Sequence, residues 1–335
     1  MTLPTWAAFA SEELLFSQTM ASVPAGVSTR NYASALELLG EDLAASATSR
    51  SSVSRRFVAR TKNALVELME KDLSDLSVCA IFADGLKEAD HTMVCAIGLD
   101  REGKKHLLGL VEGTTENKTV CTSLLSGIVD RGLDFSGGIL LVIEDGKGLR
   151  CGAKAVFGAH GLIQRCRVHK RRNLVEHLPK EAQPVVGAKL DRVWAKEDPA
   201  LALAALKAVT NWLETDHPGA ADSLREGMEE TLTISRLGVP TSLLQTLSST
   251  NPIESAFSVA RTTMRNVKRW RSGQRVLRWS AAGLEVAASK FRRVKGYREL
   301  PILINKPTGH VGEVRWRSQA VGSPLKFHGD RNILG

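Results

Sequence analysis

Two acidic residues stand where short apolar, β-forming runs give out. Asp84 follows VCAIFA and precedes Gly85, and Asp145 follows ILLVIE and precedes Gly146. A carboxylate at a strand end, beside a glycine that lets a ligand approach the backbone, suits a hard divalent cation or acid–base chemistry. Asp-Gly is also ordinary turn sequence, so each acid alone also reads as a turn. The pair says more. If the two runs are neighbouring strands, both carboxylates reach one edge of one sheet. Glu144 sits directly before Asp145, and strand alternation turns its side chain to the opposite face. The site is therefore read without Glu144.

A third acid, Glu254, lies in STNPIESAF. Thr250 or Asn251 can cap a helix there, with Pro252 in its first turn. Local sequence alone reads Glu254 as a capping-box acid or a favourable charge at the helix dipole. The segment QRCRVHKRRNL holds Cys166 and His169 as C-x-x-H. A structural zinc site takes two such pairs, and no second pair stands at suitable spacing, so zinc is not expected. Lys170, Arg171 and Arg172 in the same segment add three charges able to hold phosphates.

The elements that must position these residues follow from periodicity. Residues 26–71 read as two helices joined by the polar turn AASATS, capped by Ser28 or Thr29 and by Ser49 or Ser51. In the second, Val53, Phe57, Leu65 and Leu68 fall at helical spacing. The pair fits a helix-turn-helix, with Arg50, Arg55, Arg56 and Arg60 able to meet phosphates or bases. From residue 77 the period changes: three β-runs form a meander, then helix, strand, helix, strand and helix follow. A mixed sheet flanked by helices accommodates that order. Residues 181–247 read as helical throughout, with four prolines as punctuation.

The 335 residues carry a net charge of +9, with 43% hydrophobic and 24% charged residues, ordinary for a folded chain. From Ser255 to Gly335 there are 17 Lys and Arg against 4 Asp and Glu, so one end of the chain is strongly basic. A polyanion partner needs such a surface; a solvated tail is the alternative. Arg261, Arg265, Lys268 and Arg269 fall largely on one face if the helix of Glu254 continues. Trp270 or Trp279 stacks a base or joins the core. Five scattered cysteines do not make a disulfide framework, and neither a membrane span nor a secretory signal is evident.

The combination resembles the mutator-type transposases of bacterial insertion sequences. The residues that carry the resemblance are GVSTRNYASALE, SSVSRR, FADGLK, IGLDREGKKHLLGLVEGTTEN, VIEDGKGL, QRCRVHKRRNL and STNPIESAF, in the family's order, over residues 26–295. The resemblance implies a ribonuclease H-like catalytic domain whose DDE triad is Asp84, Asp145 and Glu254, with Cys166 and His169 as the family's C-x-x-H signature. It divides the chain into an N-terminal helical DNA-binding region (1–75), a first catalytic part (76–180), a helical insertion domain (181–247), a final catalytic part with Glu254 (248–295) and a basic tail (296–335). It further implies Mg²⁺, for which Mn²⁺ can substitute, held by the three acids, and cleavage at element ends followed by strand transfer. DNA is the expected partner, a homodimer on DNA the expected assembly, and the bacterial cytoplasm at the nucleoid the expected location. The alternatives are a nuclease of the same fold without strand transfer and an inactive or domesticated DNA-binding relative.

Overall fold

The computed structural model describes residues 50–88, 90–113, 117–265, 267, 270 and 272–304. The first helix of the expected N-terminal pair, Lys268, Arg269 and the tail from 305 onward lie outside them. Helix α1 (Arg50–Glu70) is the second member of that pair. Its apolar positions Val53, Phe57 and Ala64 are buried. The Phe57 ring lies 4.4 Å from that of Trp279, tilted by 42°. Trp279 thus belongs to packing rather than to base stacking, and Trp270 packs against the same core.

Strands β1 (Val78–Glu88), β2 (His91–Asp100) and β3 (Lys105–Gly113) form the antiparallel meander. The β2–β3 turn is set by Asp100, whose Oδ1 accepts from the amides of Glu102 and Lys104 at 2.9 and 2.8 Å. Gly103 there has φ +81°, a conformation that penalises a side chain. Helix α2 (Lys118–Asp130) is capped by Asn117, whose side chain accepts from the Val120 amide. Strand β4 (Ile139–Ile143), helix α3 (Lys147–Phe157), strand β5 (Gly161–Arg165) and helix α4 (Arg167–Val175) follow. The sheet order is β3-β2-β1-β4-β5, with β4 parallel to β1 and to β5.

The pleat sorts the sheet into two apolar faces. Ile81, Ala83, Leu141 and Ile143 point to the side covered by α2 and α3. There α3 comes so close to α2 that a Cβ at Gly152 would lie 3.0 Å from the backbone of Cys121. Ala80, Phe82, Leu140 and Val142 point to the other side. That side is covered by residues 234–264 and by helix α11 (Gly273–Ala288).

Between α4 and that covering layer runs the helical stretch. It comprises α5 (Gln183–Trp194), α6 (Pro199–Glu214), α7 (Pro218–Arg225), a 3-10 turn (Glu229–Leu232), α8 (Thr233–Arg236) and α9 (Thr241–Leu247). Leu174 through Leu232 build a third, separate apolar cluster. Ile234, Leu237, Val239, Leu243 and Leu247 instead pack into the sheet's own core. Helix α10 (Asn251–Met264) carries Glu254 against that core. It stops at Met264, with Arg265 as its C-terminal cap, so Arg261 is the one member of the expected basic face that lies within this helix among the described residues. Residues 300–304 form the short α12 (Leu300–Ile304). Among the described residues no helix is long and apolar enough to cross a membrane.

Candidate active site

Asp84 is not at a strand end. Strand β1 runs four residues beyond it, to Glu88, and Asp84 pairs with Cys95 of β2. What ends there is the neighbour: β4 stops at Ile143 while β1 continues. Asp84 therefore lies at the carboxyl edge of the parallel half of the sheet, fixed by strand pairing rather than by a turn. Such edges are where α/β sheets open to ligands.

The parallel register decides which acid faces it. Ala80 pairs with Leu140 and Ala83 with Ile143, so one further step brings Asp84 level with Glu144. Asp84 and Glu144 also share the face of Ala80, Phe82, Leu140 and Val142. The Gly85 amide donates to both carboxylates, at 2.8 Å to Asp84 Oδ1 and 3.2 Å to Glu144 Oε1. The expectation for Glu144 is thus corrected. Alternation does separate it from Asp145, but Glu144 is the one on the side of Asp84.

Asp145 turns the other way, into cations. Its carboxylate meets Arg165 Nη1 at 3.0 Å, Lys170 Nζ at 2.7 Å and Asn173 Nδ2 at 3.2 Å. The Arg165 and Lys170 side chains are fully buried. Burial lowers the Lys170 ammonium from the usual lysine value, and Asp145 works against that. Arg165 also binds Glu230 at 3.0 Å, and Glu230 reaches Arg150 at 2.6 Å. Burial alone would raise the Glu230 carboxyl, but its bonds to Arg165 and Arg150 outweigh it and hold the group below the ordinary range.

Cys166, the N-cap of α4, accepts from the His169 and Thr250 amides through Sγ, each at 3.4 Å. Burial pushes its thiol above the ordinary value, so it stays protonated. Thr250, just before α10, is the junction: its hydroxyl lies 3.2 Å from His169 Nδ1 and donates to Glu254 Oε1 at 3.3 Å. His169 Nε2 is 3.3 Å from that same oxygen. His169, Asp84 and Glu144 each offer a ligand atom within 4.8 Å of the others. Cys166 and His169 thus tie α4 to the start of α10 and present the imidazole to the acids. Cys166→Ala should cost about 1 kcal/mol in urea unfolding, and Cys166→Ser, which keeps an acceptor at the cap, clearly less. Equal losses would mean the cap bonds carry no weight.

Asp84 is 3% exposed, and its Oδ2 is buried without a hydrogen-bond partner. Burial, and then the Glu144 charge, push its carboxyl up to about 7, against opposing contributions from His169, the Thr250 hydroxyl and the Gly85 amide. An orphaned buried oxygen facing a second carboxylate is an arrangement that a divalent cation relieves.

The remaining basic residues separate by exposure. Lys170 is withdrawn from any phosphate, since its ammonium is committed to Asp145 and to the Ser223 carbonyl at 2.9 Å. Arg171 pairs with Asp191 at 3.3 Å, while Arg172, Arg55, Arg261 and Arg265 are exposed and Arg56 is partly buried. Arg171 and Arg172 stand on the wall of a groove of about 960 Å³ along the outer side of α4.

An acid cluster on a sheet edge, backed by a helix-borne acid and exposed arginines, is equipment for chemistry on a polyanion. A family model described as the mutator family of transposases matches residues 11–291, and the chain belongs to this family. It is similar to the transposase for insertion sequence element IS6120 of Mycolicibacterium smegmatis, 26% identical over 89% of this chain and 92% of that one. It is also similar to the transposase for element IST2 of Acidithiobacillus ferrooxidans, 30% identical over 50% of this chain and 56% of that one. A third relative is the transposase for element ISRM5 of Rhizobium meliloti, 30% identical over 68% of this chain and 57% of that one. The chain thus spans little more than half the length of the latter two.

Proposed function

We propose that this chain is the transposase of an insertion sequence, and that it cleaves and rejoins DNA phosphodiester bonds with divalent metal ions at the acids of β1, β4 and α10. The observation that carries this reading is the buried, unpartnered Oδ2 of Asp84 beside Glu144 and His169. The strand order β3-β2-β1-β4-β5, with an antiparallel meander and two parallel additions, supports a ribonuclease H-like catalytic domain. The separate apolar cluster of residues 174–232 supports an inserted helical domain. Asp84, Glu254 and the acid pair that follows β4 would hold the ions, with Mg²⁺ or Mn²⁺ suited to such oxygen donors; the family resemblance selects Asp145 from the pair. When bound, the ions stabilise charge on the attacking and leaving oxygens of the displacement.

The chain's own residues supply the rest. Strand pairing holds Asp84, and His169 Nε2 together with the Thr250 hydroxyl orients Glu254. Exposed Arg172, Arg261 and Arg265, with Arg55 and Arg56 on α1, would hold the DNA backbone, and two copies would bring two element ends together. Arg261→Gln with Arg265→Gln should weaken DNA binding and lower its salt slope by about 1 per lost phosphate contact. An unchanged slope would return these arginines to the role of a solvated surface.

The deciding experiment incubates the chain with DNA carrying candidate element ends, a target plasmid and Mg²⁺, and resolves cut and joined products. Joined products support the proposal. Cutting without joining would leave a nuclease, and neither would leave a DNA-binding relative.

A further inference from the structure

The two cations on the Asp145 carboxylate differ in what else they hold. Arg165 Nη1 reaches Asp145 Oδ1 at 3.0 Å, but its Nε also pairs with Glu230 at 3.0 Å, and Glu226 lies 3.8 Å from its Nη2. Its charge therefore has carboxylates besides Asp145. Lys170 Nζ reaches Asp145 Oδ2 at 2.7 Å, and among the described residues Asp145 is its one ion-pair partner. It also donates to a neutral group, the Ser223 carbonyl on α7, at 2.9 Å. The Lys170 side chain is fully buried. A buried ammonium matched by a single carboxylate opposes a second cation on that carboxylate, because its surroundings screen poorly. Consecutive residues of α4 thus address two acids of the proposed set: His169 meets Glu254 at 3.3 Å, and Lys170 meets Asp145.

We propose that Lys170 is the resident counter-cation of Asp145, and that it keeps the chain's own hold on divalent ions at this acid weak. Lys170 acts through Asp145 and is a positioning residue. Its anchor on α7 fixes where the carboxylate is held, and its charge sets how readily that carboxylate is shared. This assignment rests on the metal-dependent reading above, with Asp145 among the metal-holding acids, and deepens it.

The test uses the full chain without DNA and measures Mn²⁺ binding by paramagnetic resonance titration, so that it reads the site independently of catalysis. Lys170→Met and Lys170→Gln, each checked for folding by urea unfolding, should tighten binding by about tenfold or more, the scale on which outer-shell partners tune a metal site. The sign separates the proposal from a merely structural role. Loss of a support loosens a site and weakens binding, whereas loss of an opposing charge strengthens it. Asp145→Asn added to Lys170→Met should remove the gain. Unchanged or weaker binding by the folded neutral variants would overturn the assignment, as would a gain that survives Asp145→Asn. Failure of both neutral variants to fold would also overturn it, since Lys170 would then be a cation the fold itself requires. Absence of saturable Mn²⁺ binding by the unaltered chain and by every variant would instead sink the metal-dependent reading.

Discussion

Asp84→Asn should lower DNA cleavage by at least about a thousandfold, because an ion held at this site is asked to supply several kcal/mol of charge stabilisation and each 1.4 kcal/mol is a factor of ten. The same substitution should leave the metal-free protein at least as stable as before. Asp84 is buried beside Glu144, and its carboxyl is raised from the ordinary 3.8 to about 7. The sign follows from linkage. An acid whose value is higher folded than unfolded stabilises the protein fully below its unfolded value, and that stability is lost as pH rises through the folded value. Without divalent metal, the unaltered chain should therefore lose stability between about pH 4 and pH 7 relative to Asp84→Asn, and added Mg²⁺ should narrow the gap at neutral pH. Chemical unfolding across this pH range checks it. Cleavage by Asp84→Asn within tenfold of normal would remove Asp84 from the active site.

Asp145→Ala should destabilise the fold by about 3–5 kcal/mol, the range found when one member of a buried ion pair is removed. The damage comes from what remains: Lys170 Nζ loses its carboxylate, and Arg165 keeps Glu230 but loses the partner of Nη1, in a buried place. Lys170→Met should cost less, since Asp145 keeps Arg165 and Asn173. The double variant should recover part of the Asp145→Ala loss. Urea unfolding of the three gives the coupling directly. A loss under about 1 kcal/mol for Asp145→Ala, the level of a solvated surface pair, would show that the network is open to water.

The element order was readable from residues because each element repeats its own period. The β-runs alternate or are wholly apolar, and α2 places Cys121, Leu124, Leu125 and Ile128 on one side. The site was readable only in part. Asp84 looked like a strand end because Asp-Gly is also turn sequence; pairing with β2 carries the strand past it to Glu88. Matching the two runs by their last residue joins Asp84 to Asp145, whereas the register joins it to Glu144, one position away. A shift of one residue exchanges the faces of a strand, and cross-sheet packing, absent from any local window, fixes it. Lys170 read as a phosphate-binding charge because its neighbours are basic, while its partner lies 25 residues earlier, at Asp145. Thr250 was visible as a cap and not as the link between Cys166, His169 and Glu254, since those contacts span up to 84 residues.

Asp84 and Glu144 become neighbours as soon as β1 and β4 pair, but Thr250 and Glu254 come from more than a hundred residues further along. A chain grows from its N-terminus at roughly 5–20 residues per second, so these acids are made seconds before Glu254. For that interval the nascent chain holds a sheet without the residue that completes its acid set. On the proposed reading, competence to break DNA waits on α10, whose Ile253, Ala256 and Phe257 must seat on the sheet to bring Glu254 to His169. On the same reading, a polypeptide cut short before that helix lacks Glu254 and the layer that covers Phe82 and Val142, and is harmless to the DNA around it.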